Sequence, residues 1–313
     1  MNNKTKIAFR THPQVIAVVG PTASGKSALA VEIARLVGGE VVSADSRQIY
    51  VGLDIGTGKV TKKEMGGVPH HLLDVANPKR KMSVVQYEKL ASRTIQDILK
   101  RGKVPIICGG TGLYVDALLT TATFPEVPPN SRLRALLEKL STETLFKKLS
   151  KLDPARAKTI DAKNPRRLIR AIEIALALGS VPPQTTPIEQ YDTLWIGLAL
   201  PQDELNARIT ARLHSRMRRG MVAEARRLHA QGLSYKRMDS LGLEYRFLAE
   251  FLQNKISKEE LLDLLDIAIR QYAKRQIVWF KKSEKIRWFK PNETKKIEQL
   301  VLRHTSSTPQ RTH

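Results

Sequence analysis

Two hydrophobic periods alternate along this chain. Val15–Val19 is an unbroken apolar run of strand length, the pattern of a strand buried on both faces. The period then changes: Ala28–Val37 places its apolar residues at helical spacing, which predicts a helix over Ser27–Val37. Glu40–Ala44 predicts a second strand, ending at Asp45. Ser83–Lys100 predicts a helix with Tyr87, Leu90, Thr94, Ile95 and Ile98 toward one face. Val104–Cys108 predicts a buried strand running into Gly109-Gly110-Thr111-Gly112, and Leu113–Leu119 a helix after it. This β–α–β alternation implies a parallel sheet covered by helices. Ligands in such sheets lie beyond the carboxyl ends of the strands. The loops after the three strands, residues 20–27, Asp45–Gln48 and Gly109–Tyr114, therefore converge on one place.

The second half reads differently. Phe124–Asn130 is rich in proline (Pro125, Pro128, Pro129) and marks a boundary. Residues 131–179 are helical in pattern, and Val181–Pro187 is a second proline-rich breaker. Leu194–Leu200 returns as an apolar strand, followed by helices over residues 203–231, 240–252 and 258–282. The simplest organisation is an α/β core over 10–125 and 193–290, interrupted by a helical insertion at 126–192. Residues 291–313 read as a polar, frayed tail. No internal repeat is present.

Composition sharpens this picture at one point, the charge. Lys and Arg number 53 against 30 acidic residues, a net of +23. Arg132–Arg170 alone carries 12 basic against 4 acidic residues, so this part of the insertion is notably basic. Such a balance suits a polyanionic partner, most often nucleic acid. The longest apolar runs are strand-sized, so no membrane span is expected. Met1–His12 lacks an apolar h-region, so no secretory signal is expected. The single cysteine, Cys108, excludes a disulfide framework within the chain and fits a reducing cytosol.

The most specific chemistry lies directly after the first strand. Gly20-Pro21-Thr22-Ala23-Ser24-Gly25-Lys26-Ser27 is a phosphate-binding P-loop in strand–loop–helix context. Its backbone amides and the following helix N-terminus cradle phosphate oxygens. Lys26 would reach the outer phosphates and the Ser27 hydroxyl would hold Mg²⁺. The expected fold class is therefore a P-loop NTPase-like parallel sheet flanked by helices, with a mostly helical insertion domain. No clear Walker B motif is present: Asp45 is the only candidate carboxylate and lies close after the P-loop, which argues against an ATP-driven motor. Asp45, at a strand terminus, is a general base, a Mg²⁺ partner or simply a turn cap. Gly109–Tyr114 lets a ligand approach the backbone closely. Leu261–Lys281 is an amphipathic helix: Leu261, Leu265, Ala268, Tyr272 and Trp279 share one stripe, with Arg270, Lys274 and Lys281 opposite. That basic face is either solvated or a phosphate-backbone contact. His70-His71 lacks metal-ligand spacing and reads as structural.

Taken together these segments resemble the tRNA dimethylallyltransferase (tRNA isopentenyltransferase) family. The resemblance spans nearly the whole chain. It includes the P-loop, Ser43–Tyr50, Gly52–Lys59, Val68–Asp74, Gly109–Tyr114, Asn164–Glu173 and Arg270–Gln276 before Trp279-Phe280. It implies transfer of a dimethylallyl group from dimethylallyl diphosphate to N6 of adenosine 37 in tRNA, with Mg²⁺ as cofactor. The P-loop would then hold a diphosphate leaving group rather than ATP. By the same resemblance Asp45 handles the N6 proton, and Thr22 and Thr111 line the junction of the two substrates. Asp45, Ser46, Arg47, Gln48 and Thr111 contact tRNA. So do Arg132, the run Arg166, Arg167, Leu168, Ile169 and Arg170, and the set Arg270, Gln271, Lys274, Arg275 and Gln276. The insertion clamps the anticodon stem-loop. Arg208 and Arg212, at i and i+4 on one helix, are assigned to the diphosphate.

The resemblance has one departure. The family usually carries an Ile-Gly-Tyr-Arg/Lys-like segment where this chain has Leu241-Gly242-Leu243-Glu244-Tyr245, which leaves that stretch's RNA contact open. The sequence shows no C-terminal zinc-finger extension of the eukaryotic kind, so the resemblance is to the bacterial type, cytoplasmic and monomeric. Three rival readings follow from parts of the pattern. They are a P-loop small-molecule kinase, a dimethylallyltransferase acting on free AMP or ADP, and a nucleotide-gated RNA-binding protein.

Overall fold

A computed structural model describes residues 13–121, 125–183 and 188–306. Met1–His12, residues 122–124 (Phe124 of the first proline-rich stretch among them), residues 184–187 of the second breaker and the last seven residues lie outside the described residues. Six strands form one parallel sheet: β1 (Gln14–Val19), β2 (Glu40–Ser43), β3 (His70–His71), β4 (Pro105–Gly109), β5 (Asp192–Leu198) and β6 (Arg287–Phe289), in the order β3-β2-β4-β1-β5-β6. Val15–Val19 are fully buried, as expected for an inner strand covered on both faces of the sheet. Val19 pairs with Gly109 of β4 and Gly197 of β5, and Ser43 of β2 with Cys108. These registers bring the strand ends level, so the loops after β1, β2 and β4 open at one edge of the sheet.

The helices are α1 (Lys26–Val37), α2 (Lys62–Met65), α3 (Val84–Lys100), α4 (Gly112–Leu119), α5 (Ser131–Leu137), α6 (Thr142–Leu152), α7 (Pro154–Thr159), α8 (Pro165–Leu178), α9 (Gln202–Arg218), α10 (Met221–Ala230), α11 (Tyr235–Leu241), α12 (Leu243–Leu252), α13 (Lys258–Phe280) and α14 (Thr294–Ser306). The chain forms two compact units, one running up to Thr120 and resuming at Glu189, the other being Thr121–Ile188. In the first, one face of the sheet is covered by α1 and α14, which bury Leu29, Ile33, Ile297 and Val301 with Ile16, Val18 and Ile106. The other face packs against α3, α4 and the α9–α13 array, through Tyr87, Ile95, Leu118, Leu213, Tyr245 and Leu265 among others. In the second, α5–α8 enclose Leu137, Leu145, Leu149, Leu168 and Ile172. Glu173, itself buried, accepts from Arg134, Arg170 and the Asn130 amide.

Several elements differ from expectation. The tail after Glu293 is not frayed: α14 seats Ile297 and Val301, at i and i+4, in the core. Its short apolar stripe is lost in a polar composition. The helix expected over 203–231 breaks at Gly220, whose φ of 96° is left-handed, and the one over 240–252 is divided at Gly242. α3 buries Ala91 beside Tyr87, Ile95 and Ile98, while Leu90 and Thr94 fall outside that face. Strands β3 and β6 are two and three residues long, too short to show a period.

Candidate active site

The loop after β1 turns through Gly20, where a Cβ would lie 2.6 Å from the Leu198 carbonyl oxygen, so only glycine fits. Gly25, with φ 96°, opens α1 without any side-chain cap. The first-turn amides of α1 therefore remain for a ligand. The Ser24 hydroxyl is buried in this loop with no hydrogen-bond partner among the described residues, a donor that an anionic oxygen would satisfy. Lys26 folds back to donate to the Pro21 carbonyl. Its burial, reinforced by the Arg212 cation and opposed by Cys108 and Asp45, holds the ammonium down at about 8. The site is thus a cradle of donors and cations short of negative charge.

Arg212 from α9 donates through Nη2 to the Gly58 carbonyl at 2.8 Å and brings Nη1 to 3.5 Å from the Thr22 hydroxyl. Burial and the nearby Arg216 lower its pKa. Arg208 does not join it: that side chain is exposed and pairs with Glu204 at 2.8 Å, one turn back on the same helix. The row continues inward instead, to Arg216, which donates to the Gly56 carbonyl and to Glu244 at 2.8 Å each. Arg216 and Glu224 were not singled out from sequence, although Arg216 extends the i, i+4 row of Arg212. Glu224 accepts from the amides of Asp54, Ile55 and Gly56 and from the Tyr245 hydroxyl. The acidic residue that departs from the family pattern, Glu244, is buried and neutralises Arg216. It is a core partner here, not a surface contact.

Asp45 follows β2 and caps the next turn: its Oδ1 accepts from the amides of Arg47 at 2.8 Å and Gln48 at 3.2 Å. Oδ2 makes no hydrogen bond among the described residues. Thr111, after β4, accepts from the Ser46 amide at 3.1 Å and interacts with the Tyr272 hydroxyl. Below, the Tyr87 hydroxyl donates to the Ser43 carbonyl at 2.9 Å and its ring stacks 4.0 Å from Tyr114. Lys59, buried, staples the adjoining loops through the Tyr50 carbonyl, Asp54 and Asp74. P-loop, Asp45 and Thr111 therefore meet at one edge of the sheet, as the loop argument required.

The residues expected to face RNA divide into two groups. Gln271, Lys274 and Arg275 of α13 are exposed, as are Arg132, Arg166 and Arg167 in the helical unit. Arg270 is engaged within its own unit, with Asp266 and Thr210, and Arg170 with Glu173 and the Pro125 carbonyl. Three others are buried. Leu168 and Ile169 are buried in the α5–α8 core, because helical spacing turns them away from Arg166 and Arg167. Gln276 is buried too, its amide spent inside the protein: Oε1 accepts from the Thr22 amide at 2.7 Å and Nε2 donates to the Gly110 carbonyl at 2.8 Å. His71 pairs with Glu40 at 2.7 Å, the structural role expected of it. No group of three or more His, Cys, Asp or Glu side chains suited to a metal occurs among the described residues, and no described helix is long and apolar enough to cross a membrane.

A family model for IPP transferases matches residues 48–283. The tRNA dimethylallyltransferase of Thermomicrobium roseum is 40% identical over 295 residues, covering 91% of this chain and 89% of that protein. That of an Exiguobacterium species is 43% identical, covering 85% and 87%. Among solved structures, the full-length tRNA isopentenylpyrophosphate transferase of Bacillus halodurans superposes with a TM-score of 0.72 at 34% identity, covering 95% of this chain and 97% of that one. A eukaryotic dimethylallyltransferase acting on tRNA shares the fold, with a TM-score of 0.82 at 24% identity, covering 96% and 81%. With its P-loop, its Asp45 turn and its Gly109–Tyr114 loop gathered at one sheet edge, the chain belongs to the tRNA dimethylallyltransferase family.

Proposed function

We propose that this protein transfers the dimethylallyl group of dimethylallyl diphosphate to N6 of adenosine 37 in tRNA, acting as a cytoplasmic monomer. The observation that carries the reading is a carboxylate with an uncommitted oxygen, Asp45 Oδ2, beside a phosphate cradle whose neighbouring strands supply no Walker B carboxylate. The cradle holds the diphosphate; Lys26, Arg212 and the α1 amides stabilise charge as it departs. The N6 lone pair forms the new bond to the allylic C1 as the C1–O bond breaks and its electrons leave with diphosphate. Asp45 accepts the N6 proton. Thr22 and Thr111 flank the reacting atoms, and the adenine must leave its stack to reach them.

Ser27 is an exposed residue at the start of α1, and no group of three or more His, Cys, Asp or Glu side chains suited to a metal occurs among the described residues; its hydroxyl suits a divalent ion that keeps most of its waters. Mg²⁺ held there would neutralise charge on the leaving group. The exposed cations Arg132, Arg166, Arg167, Lys274 and Arg275 would contact phosphates of the anticodon stem-loop, with 126–192 acting as a clamp.

Nucleoside mass spectrometry of unmodified tRNA incubated with protein, Mg²⁺ and dimethylallyl diphosphate tests this reading. Product is expected with an A36-A37-A38 loop and none when A37 is replaced or free AMP is offered. Product from AMP would move the acceptor to free nucleotides, and ATP turnover without any prenyl product would return the P-loop to a kinase.

A pH dependence follows from Lys26. An anion favours its protonated form, which in the free protein is lost above about 8. Affinity for dimethylallyl diphosphate is expected to be level below that pH and to fall by about tenfold per pH unit above it. Calorimetry in buffers of different ionisation enthalpy would register proton uptake on binding. A flat affinity from about pH 7 to 9.5 would remove Lys26 from the diphosphate site.

A further inference from the structure

The buried row of α13 is Leu261, Leu265, Ile269, Ala273, Gln276 and Phe280. Five of the six are apolar. A primary amide in such a row costs free energy unless its groups are bonded, and here both are. Oε1 takes the Thr22 amide and Nε2 the Gly110 carbonyl. One side chain therefore ties the loop after β1 to the turn after β4. Those two segments carry Thr22 and Thr111, the hydroxyls on either side of the proposed reaction.

The fit around this amide is close. A Cβ on Gly110 would sit 2.1 Å from Gln276 Nε2, and one on Gly112 would sit 2.2 Å from the Trp279 ring. Trp279 in turn donates to Asp116 at 2.9 Å, and the Tyr272 hydroxyl meets Thr111. Tyr272, Gln276 and Trp279 stand at i, i+4 and i+7, so they form one row on the helix. The row meets Thr111, Gly110 and Gly112 in turn. The glycines of this loop thus admit α13 at least as much as they admit a ligand.

We infer that Gln276 is a positioning residue for prenyl transfer, setting the distance between Thr22 and Thr111, and not an RNA contact. The inference rests on the functional reading above. An RNA contact would require Gln276 to abandon two buried bonds, whereas Gln271, Lys274 and Arg275 are already exposed on the same helix. With Oε1 holding its amide, Thr22 is fixed before substrate arrives, and preorganisation of this kind acts on turnover more than on affinity for a distant part of a substrate.

The test uses full-length Gln276→Met, which keeps volume and loses both bonds, and Gln276→Glu, which keeps the acceptor and loses the donor until protonated. For Gln276→Met, kcat is expected to fall by about a hundredfold, while the Kd for tRNA stays within about twofold of wild type. Affinity for inorganic pyrophosphate, read without any transfer, is expected to weaken by about fivefold as the Thr22 segment loosens. A buried carboxyl titrates high, so the ratio of Gln276→Glu to wild-type kcat is expected to climb as pH falls and the donor returns. A tRNA Kd raised tenfold or more, with kcat unchanged, overturns the inference in favour of an RNA contact. A pH-independent Gln276→Glu ratio overturns it in favour of a merely structural role. Should Gln276→Met not fold, Gly110→Ala, which pushes on the same amide, is expected to lower kcat in its place. Wild type run alongside keeps the two readings apart. Absence of transfer by wild type is a failure of the functional reading, and pyrophosphate affinity unchanged in the variants is a failure of this one.

Discussion

Lys26→Met is expected to abolish transfer and to raise the melting temperature. The two effects share one cause. The ammonium is buried among donors, next to the Arg212 cation, and its pKa is pulled from 10.5 to about 8. A base with a lowered folded-state pKa binds its proton more weakly in the native state than in the unfolded chain. Between about pH 8 and 10.5 the unfolded chain therefore holds a proton the native state has released, and native stability rises with pH across that window. At neutral pH the native state still carries the unfavourable charge. Methionine keeps the stem and removes that charge, so the gain should be largest at and below pH 8 and shrink toward 10.5. Activity moves the other way, because on the proposed reading the charge serves the departing diphosphate: a loss of at least about 10³-fold in kcat/KM is expected. Calorimetric melts from pH 6 to 10 and initial rates on the same preparations check both. A variant that is no more stable than wild type at pH 7 would show that the lysine finds compensation in the free protein.

Asp45→Asn is expected to cost about 10²–10⁴-fold in kcat while tRNA affinity and melting temperature hold. Only Oδ1 of Asp45 serves the turn, accepting from the Arg47 and Gln48 amides. An asparagine retains that oxygen as an acceptor, so the turn survives and only the proposed proton acceptor is removed. Asp45→Ala removes both and is expected to lose stability as well. Full turnover in the asparagine variant, together with impairment in the alanine variant, would reduce Asp45 to a turn cap.

Much of the first unit was legible because its signals are local. The P-loop places eight consecutive residues in a fixed backbone path, and the apolar runs of β1, β4 and β5 are continuous because those strands are covered on both faces. The convergence of Asp45 and Thr111 on the P-loop followed from topology alone. What sequence reasoning missed is long-range and polar. Arg216 and Glu224, which were not named, and Gln276, which was named only as an RNA contact, are buried and bonded to backbone groups distant in the chain, and nothing within a few residues of a charged or amide side chain says that it faces inward. The run from Arg166 to Arg170 divides for a related reason: five consecutive residues on a helix do not share one side, so Leu168 and Ile169 are buried while Arg166 and Arg167 are exposed. Helix α14 escaped because two core residues in thirteen make a faint stripe.

The strand order has a consequence for how the chain is made. β1 emerges first, yet its two neighbours are β4 and β5, and β5 follows the entire α5–α8 unit. The four helices of that unit contact one another over short sequence separations, whereas Val19 must wait for Gly197. High contact order of this kind slows assembly, so during synthesis the insertion should acquire protease resistance before the sheet that flanks it. Limited proteolysis of ribosome-stalled chains of increasing length would show that order, or its reverse. The floor of the catalytic site would then be among the last parts of the molecule to form, since Gln276 is added only after β5.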